Sequence, residues 1–323
     1  MSVLYLLSAN SSARKDGGRI LIEKGGAKIG SIPARTLDCL IVNEDSQITT
    51  SALFYLMEHD IPIFFIDWSG KIKGRLTKDA TSIRQLFQQL EYFQDEKKRL
   101  SLVQEVVVEK IGNQQRILQQ YASSQKNAKL EDAARTLKTY ASKTSHLSDE
   151  EQLRGMEGIA SRCYFSAFSL LFDQQKWKWK GRSQHPAKDP VNALLNYGYA
   201  FLEREVRIGL MAVSLDARIG FFHANNGRKD SLVYDLMEFF RQPVIDRFVL
   251  SLLNRKTLKP KHFSDGKDGI HLSEEARFLW CARYEAYMEK IYRDYGGKTS
   301  RQMIHERIRQ FNEHLRDNKQ GRE

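Results

Sequence analysis

Cysteine is scarce in this chain: Cys39, Cys163 and Cys281 stand far apart in 323 residues. That spacing excludes a disulfide framework and a cysteine-based zinc motif, and it suits a reducing compartment, so a cytoplasmic protein is expected. No apolar run approaches the roughly 18 residues that cross a bilayer, so no membrane-spanning helix is expected. The opening MSVLYLLSANSSARKD has no charged segment ahead of its short apolar run and is not read as a secretory signal. There is no tandem repeat, no extended low-complexity tract, no P-loop, and no Rossmann glycine pattern behind a strand. Any chemistry must therefore come from side chains dispersed along the sequence.

Charge of one sign is present in excess, and its location is informative. The formal net charge is +11. Residues 1–80 hold ten Lys/Arg against nine Asp/Glu, and the remaining 243 residues hold 41 against 31. A basic surplus confined to one part of the chain points to a polyanionic partner, because each phosphate contact releases condensed counterions. A soluble basic protein without such a partner has the same composition. Hydrophobic residues make up 41% with a mean hydropathy of −0.52, enough apolar surface for ordinary cores.

The first eighty residues read as β structure. VLYLLS, RILIEKG, AKIGSIP, LDCLIVN, IPIFFIDWSG and KIKGRLT are short, β-branched or aromatic, and separated by Gly, Pro, Asn or Asp. TTSALFYLMEHD adds one short helix behind a Thr/Ser cap. After Thr81 the spacing becomes helical, with Leu86, Leu90, Phe93, Leu100, Val103, Val107 and Ile111 marking one long helix or two with a break. A shorter helix is expected within residues 122–151. Helical spacing recurs over Glu150–Phe172, Pro190–Ile208, Ser231–Asn254 and Ser273–Tyr295. The tail from Lys298 is mixed in charge and is expected to fray near its end. The fold class expected is α+β: a β-sandwich-like domain over 1–80, then a larger all-α domain over 81–323, with 81–95 as linker and start of the first long helix.

Three short passages carry the chemistry. In SDEEQLRGMEGIASRCYFSAFSLLF, Leu153, Met156, Ala160, Tyr164, Ala167 and Leu171 share one helix face at about 100° per residue, and Glu157 falls on its border. A carboxylate among apolar neighbours needs a counter-charge, either an arginine of a packed helix or a bound cation. In HANNGRKDSLVYDLMEFFR, Asp235 and Glu238 lie one turn apart, opposite the apolar face of Leu232, Val233, Leu236 and Met237. Taken alone they form a solvated polar face. His223 follows Phe221 and Phe222 and, taken alone, reads as a packed histidine.

Taken together, one imidazole and two carboxylates suit a divalent cation that keeps open positions for water and phosphate oxygen. Mg²⁺ tolerates such a set, and Mn²⁺ suits the imidazole better. The chemistry implied is attack on a phosphodiester, with the cation activating the nucleophile and offsetting charge on the phosphorus centre.

At these residues the sequence resembles a known family. LRGMEGIASRCYF, DPVNALLNYGYAFLEREV and GFFHANNGRKDSLVYDLMEFFRQPVIDR are similar to three signature segments of the CRISPR-associated integrase-endonuclease of spacer acquisition, and VVVEKIGNQQRIL to a fourth. The resemblance runs over about residues 1 to 295, and it implies that Glu157, His223 and Glu238 are the metal ligands and Asp235 an active-site neighbour. Glu238 stands where some relatives carry Asp. The implied reaction is metal-assisted integration: two free 3′-OH ends of a protospacer duplex attack the two sides of the leader-proximal CRISPR repeat. With water as nucleophile the same site would cleave DNA. The resemblance also implies a homodimer through the β domains, flanking a small second adaptation protein that is endoribonuclease-like.

Two basic segments complete the reading. QQKWKWKGRSQHPAKDP interleaves Trp177 and Trp179 with Lys176, Lys178, Lys180 and Arg182. Its cations are expected to hold phosphates; its tryptophans either stack on bases or anchor the loop to the core. NRKTLKPKH, with Arg255 and Lys256, either tracks phosphate or is a solvated loop. Arg228 and Arg241 are further DNA-contact candidates, and His185 and His271 are read as structural or surface residues. The rival functions are a basic DNA-binding scaffold without catalysis and a nuclease directed at RNA.

Overall fold

A computed structural model describes residues 3–77, 82–184, 186–223, 230–266, 269–292 and 296–317. The chain divides into two compact units, Met1–Ala80 and Thr81–Glu323.

The first unit is built from two four-stranded sheets and one helix. Strands β1 (Val3–Leu6), β5 (Cys39–Asn43), β7 (Ile63–Ile66) and β8 (Ile72–Leu76) form one sheet in that order. β4 (Ala27–Pro33), β3 (Arg19–Lys24), β2 (Ser11–Asp16) and β6 (Gln47–Ile48) form the other. β5 pairs in parallel with β1 and β7, and all five of its residues are buried, as expected of a strand covered on both faces. Leu6, Leu40, Val42 and Ile63 of the first sheet meet Ala13 and Ile20 of the second in a single core, closed by Ala52 and Leu56 of helix α1 (Thr50–Glu58). Thr49 caps that helix, its side chain accepting from the Ala52 amide.

The second unit is mostly helical. Helices α2 (Ile83–Gln94) and α3 (Glu96–Gln125) are separated at Asp95, whose extended backbone and side-chain bond from the Lys98 amide start the second helix. α3 packs along α4 (Ala128–Thr144) and α5 (Glu150–Phe168). After the short α6 (Gln174–Trp177) comes α7 (Pro190–Ala212), buried on nearly every side and therefore the axis of this unit. The segment expected as one helix over 231–254 is broken into α8 (Ser231–Met237), a π-helical stretch over Arg241–Asp246, and α9 (Arg247–Asn254). Pro243 explains the break: it has no N–H to donate and its ring obstructs the preceding turn.

Beyond α9 lies a β-hairpin, β9 (Phe263–Gly266) with β10 (Gly269–Leu272), that sequence reading did not anticipate. α10 (Glu274–Met288) ends earlier than expected, and β11 (Ile291–Tyr292) pairs with β12 (Lys298–Thr299). The two small β pairs mean that the helical body is not purely α. The tail from Lys298 carries α11 (Ser300–Asp317), which buries Ile304, Ile308, Phe311 and Leu315; its end, expected to fray, lies outside the described residues. At Gly209 of α7 a Cβ would meet Ile308 at 2.5 Å, so the glycine permits the close approach of the two helices. Among the described residues no helix is long and apolar enough to cross a membrane.

Candidate active site

Glu157 occupies the border position on α5, with its side chain 24% exposed. The protein's own counter-charge there is a lysine of a packed helix where an arginine was expected. Oε1 accepts from Ser161 Oγ at 2.9 Å, one turn on, and lies 2.5 Å from Nζ of Lys110 on α3. The same ammonium stands 2.7 Å from Oε2 of Glu238. Two carboxylates more than eighty positions apart in sequence therefore converge on one cation of the protein. α3 braces the site at two further points. Asn113 Nδ2 donates to the Phe239 carbonyl at 3.0 Å, and Gln114 Nε2 reaches Ser161 Oγ at 3.4 Å.

Asp235 and Glu238 do not form a solvated face; both are buried, at 2% and 4% exposure. The helical wheel misplaced them because α8 is covered on both sides and tightens past Met237, where the Glu238, Phe239 and Phe240 amides bond three residues back. Asp235 organises the turn before the helix. Its Oδ2 accepts from the amides of Phe221 and Phe222 at 2.5 and 3.0 Å, and its Oδ1 from the amide of His223 at 2.8 Å. His223 Nδ1 also lies 2.7 Å from Oδ1. A carboxylate only accepts, so Nδ1 carries a proton, and Nε2 is the nitrogen that would offer a lone pair to a cation. Nε2 stands 4.0 Å from Glu238 Oε1. The turn needs Gly220, since a Cβ there would meet Ser231 Cβ at 2.6 Å and Asp235 Oδ2 at 2.8 Å. Upstream, Gln89 Nε2 of α2 clamps the carbonyls of Asp216 and Ile219, and Arg154 of α5 donates to the carbonyl of Phe222.

The electrostatics follow from this packing. Burial pushes the Glu238 carboxyl up, but Arg241 and Lys110 outweigh it and hold its pKa at about 2. Burial pulls Lys110 down, and the carboxylates of Glu238 and Glu157 more than restore it, so its pKa is raised. Arg241 Nε donates to Glu238 Oε1 at 3.0 Å while its guanidinium lies 4.6 Å from the centre of the Tyr199 ring. Tyr199 and Tyr164 both donate to Asp246, at 2.6 and 2.9 Å, and burial lifts that acid to about 6.

Glu157, His223 and Glu238 all line one cleft of about 770 Å³, together with Lys110, Arg162, Arg182, Tyr199 and Arg241. The donor set suits a divalent cation: the Nε2 ring nitrogen of His223 and two carboxylates. One of their oxygens, Glu238 Oε2, is buried and stands 2.7 Å from the Lys110 ammonium. Among the described residues no three His, Cys, Asp or Glu side chains form a ready cage for a metal. The carboxylates instead close on Lys110.

The basic candidates separate into two kinds. Arg182 and Arg241 line the cleft and are half-buried. Arg182 Nη1 donates to Asn192 Oδ1 at 3.0 Å, and its guanidinium lies over Tyr199. Lys178, Lys180, Arg255 and Lys256 are exposed, and Lys176 is half-buried over the Trp177 ring. Arg228 and His185 lie outside the described residues. Trp177 and Trp179 are buried at 1% and 6% exposure, Trp179 against Phe165, Phe168 and Phe172, so they anchor the loop and do not offer stacking faces.

Lys110 is the site residue that sequence reading missed. It sits in the buried stripe of α3 with Val103, Val107, Ile111 and Gln114, spaced three and four apart. A lysine in an apolar stripe carries the same signal that singled out Glu157.

The fold and the cleft define an α+β protein whose helical body gathers carboxylates, an imidazole and arginines into one pocket. The family CRISPR associated protein Cas1 matches residues 4–286, and the chain belongs to it. CRISPR-associated endonuclease Cas1 1 of Thermus thermophilus is 31% identical over 278 residues, covering 85% of this chain and 82% of that protein. The Archaeoglobus fulgidus protein of the same name is 30% identical, covering 83% and 82%. Among solved structures, a CAS1 protein from Thermotoga maritima superposes with a TM-score of 0.85 at 25% identity, covering 98% of this chain and 97% of that one. A casposase bound to integration product gives 0.84 at 23% identity, covering 99% and 92%, a likeness of fold.

Proposed function

We propose that this chain is a divalent-metal-dependent DNA endonuclease and integrase that joins protospacer 3′-OH ends to the CRISPR repeat. The observation that carries the reading is the convergence of Glu157 and Glu238 in the cleft that His223 also lines, with a proton fixed on the far side of the imidazole. Glu157, Glu238 and His223 Nε2 would hold Mg²⁺ or Mn²⁺. Such an ion, when bound, supplies Lewis-acid stabilisation of a phosphoryl oxygen and lowers the pKa of a hydroxyl nucleophile.

The chain's own residues do the rest. Asp235 fixes the tautomer and angle of His223 and the backbone of its turn. Arg241, on Glu238, and Arg182, half-buried in the same cleft, set positive charge where a phosphodiester would lie, in surroundings of lower dielectric than water. The exposed Lys178 and Lys180 extend that charge outward along a DNA backbone. The partners proposed with this activity are protospacer and repeat DNA, a second copy of the chain through the strand-rich unit, and the small second adaptation protein. Family membership is what supports them.

Cleavage and strand transfer on branched DNA in Mn²⁺, with Glu157→Ala and His223→Ala as controls, test the reading. Wild-type activity far above both variants is expected. Activity no greater than theirs would leave a DNA-binding scaffold, and equal cleavage of matched RNA would remove the DNA preference.

A further inference from the structure

The cleft holds a cation already, and it belongs to the protein. Lys110 Nζ lies 2.5 Å from Glu157 Oε1 and 2.7 Å from Glu238 Oε2, with its side chain 11% exposed. Without it, two like-charged carboxylates would face each other across the edge of a buried pocket, and Glu238 Oε2 would be buried without compensation. Further contacts hold these acids in place: Ser161 donates to the same Glu157 oxygen that meets Lys110, and Arg241 holds the other oxygen of Glu238, Oε1. The oxygens that meet Lys110 are thus aimed at one small volume. An ammonium and a divalent cation carry like charge and cannot share it.

We propose that Lys110 is an internal counter-cation that holds Glu157 and Glu238 in position and must withdraw into the cleft for a divalent cation to enter. The inference rests on the metal reading above. Lys110 is then a positioning residue with two settings. In one it bridges the carboxylates and preserves their separation. In the other its flexible four-carbon stem carries the ammonium into the adjoining space, alongside Arg182 and Arg241. The lysine therefore lowers divalent affinity relative to the same site without it, which is the opposite of what a merely structural residue does.

The test is Mn²⁺ binding by isothermal calorimetry to the full chain as wild type, Lys110→Met and Lys110→Arg, with Glu157→Ala as the control. Lys110→Met should bind Mn²⁺ on the order of tenfold more tightly or better, and Lys110→Arg no more tightly than wild type. A second measurement needs no variant: acylation of wild-type Lys110, followed by mass spectrometry against exposed Lys178, should rise severalfold when Mn²⁺ is added. That measurement decides if Lys110→Met fails to fold. Equal or weaker Mn²⁺ binding by Lys110→Met, with Glu157→Ala abolishing it, overturns the lysine's role and spares the metal site. Unchanged acylation in the presence of bound Mn²⁺ overturns it too. No Mn²⁺ binding by wild type or Lys110→Met overturns both.

Discussion

Glu205 and Glu238 are both buried carboxylates of the helical body, and they are neutralised in different ways. Glu205, at 0% exposure on α7, is gripped by the fork of Arg301, with Nε to Oε2 at 3.1 Å and Nη2 to Oε1 at 3.2 Å, and by Arg204 at 3.1 Å. Arg301 also bonds Glu285 at 2.8 Å and reaches Glu289, so α7, α10 and α11 meet in one closed network. Burial would raise the Glu205 pKa, and the two arginines bring it below the usual carboxylate range. None of these five residues lines the cleft. Glu238 has one Nε donor and one ammonium that it shares with Glu157, beside open space. The same residue types build a closed network in one place and an open-sided pair in the other. What separates them is how completely each carboxylate oxygen is committed to a fixed partner.

The largest effect expected comes from breaking the closed network. Arg301→Ala leaves Glu205 with Arg204 alone and should cost about 3–5 kcal/mol in chemical denaturation, because a buried charge loses its main partner. A cost no larger than that of a surface substitution would show that the network adds little. Next, Asp235→Asn should leave denaturation nearly unchanged in cooperativity yet lower Mn²⁺ affinity or DNA cleavage by about 10–100-fold, the scale of losing an oriented imidazole. Gly220→Ala should reproduce part of that loss and cost about 1–3 kcal/mol, since the added methyl meets Asp235 and Ser231.

The smallest effect is a slope. Glu238 has a folded pKa of about 2 against an ordinary value of 4.5, so its contribution is present above pH 4.5 and is lost as pH falls towards 2. Glu205, also depressed, acts in the same direction. Glu238→Gln should therefore reduce the acid limb of stability against pH by up to about 1.4 kcal/mol per pH unit, leaving the share of Glu205. An unchanged limb would mean that Glu238 is not held ionised in the folded chain.

Much of this was legible in the residues, and the omissions have physical causes. Strands such as CLIVN and IFFI announce themselves because both faces are apolar, whereas β2, SSARKD, buries only Ser11 and Ala13 and exposes its charged end. α11 was hidden by its charge, although Ile304, Ile308, Phe311 and Leu315 repeat at helical spacing. Glu157 was found because one helix face is a local property. The burial of Asp235 and Glu238 was not, because it depends on α3 and on the 220–223 turn, which reach them only in three dimensions. Lys110 lay between these cases: its stripe is local, and its two partners are not. The family segments placed Glu157, His223 and Glu238 together before any geometry did.

The central claim is that these three side chains share one divalent ion. A crystal of the protein soaked in Mn²⁺, with data collected at the manganese edge, tests it most directly. The account predicts a single anomalous peak at about 2.0–2.4 Å from Glu157, Glu238 and His223 Nε2. No peak in the cleft at saturating Mn²⁺, or one that engages none of the three, would contradict it.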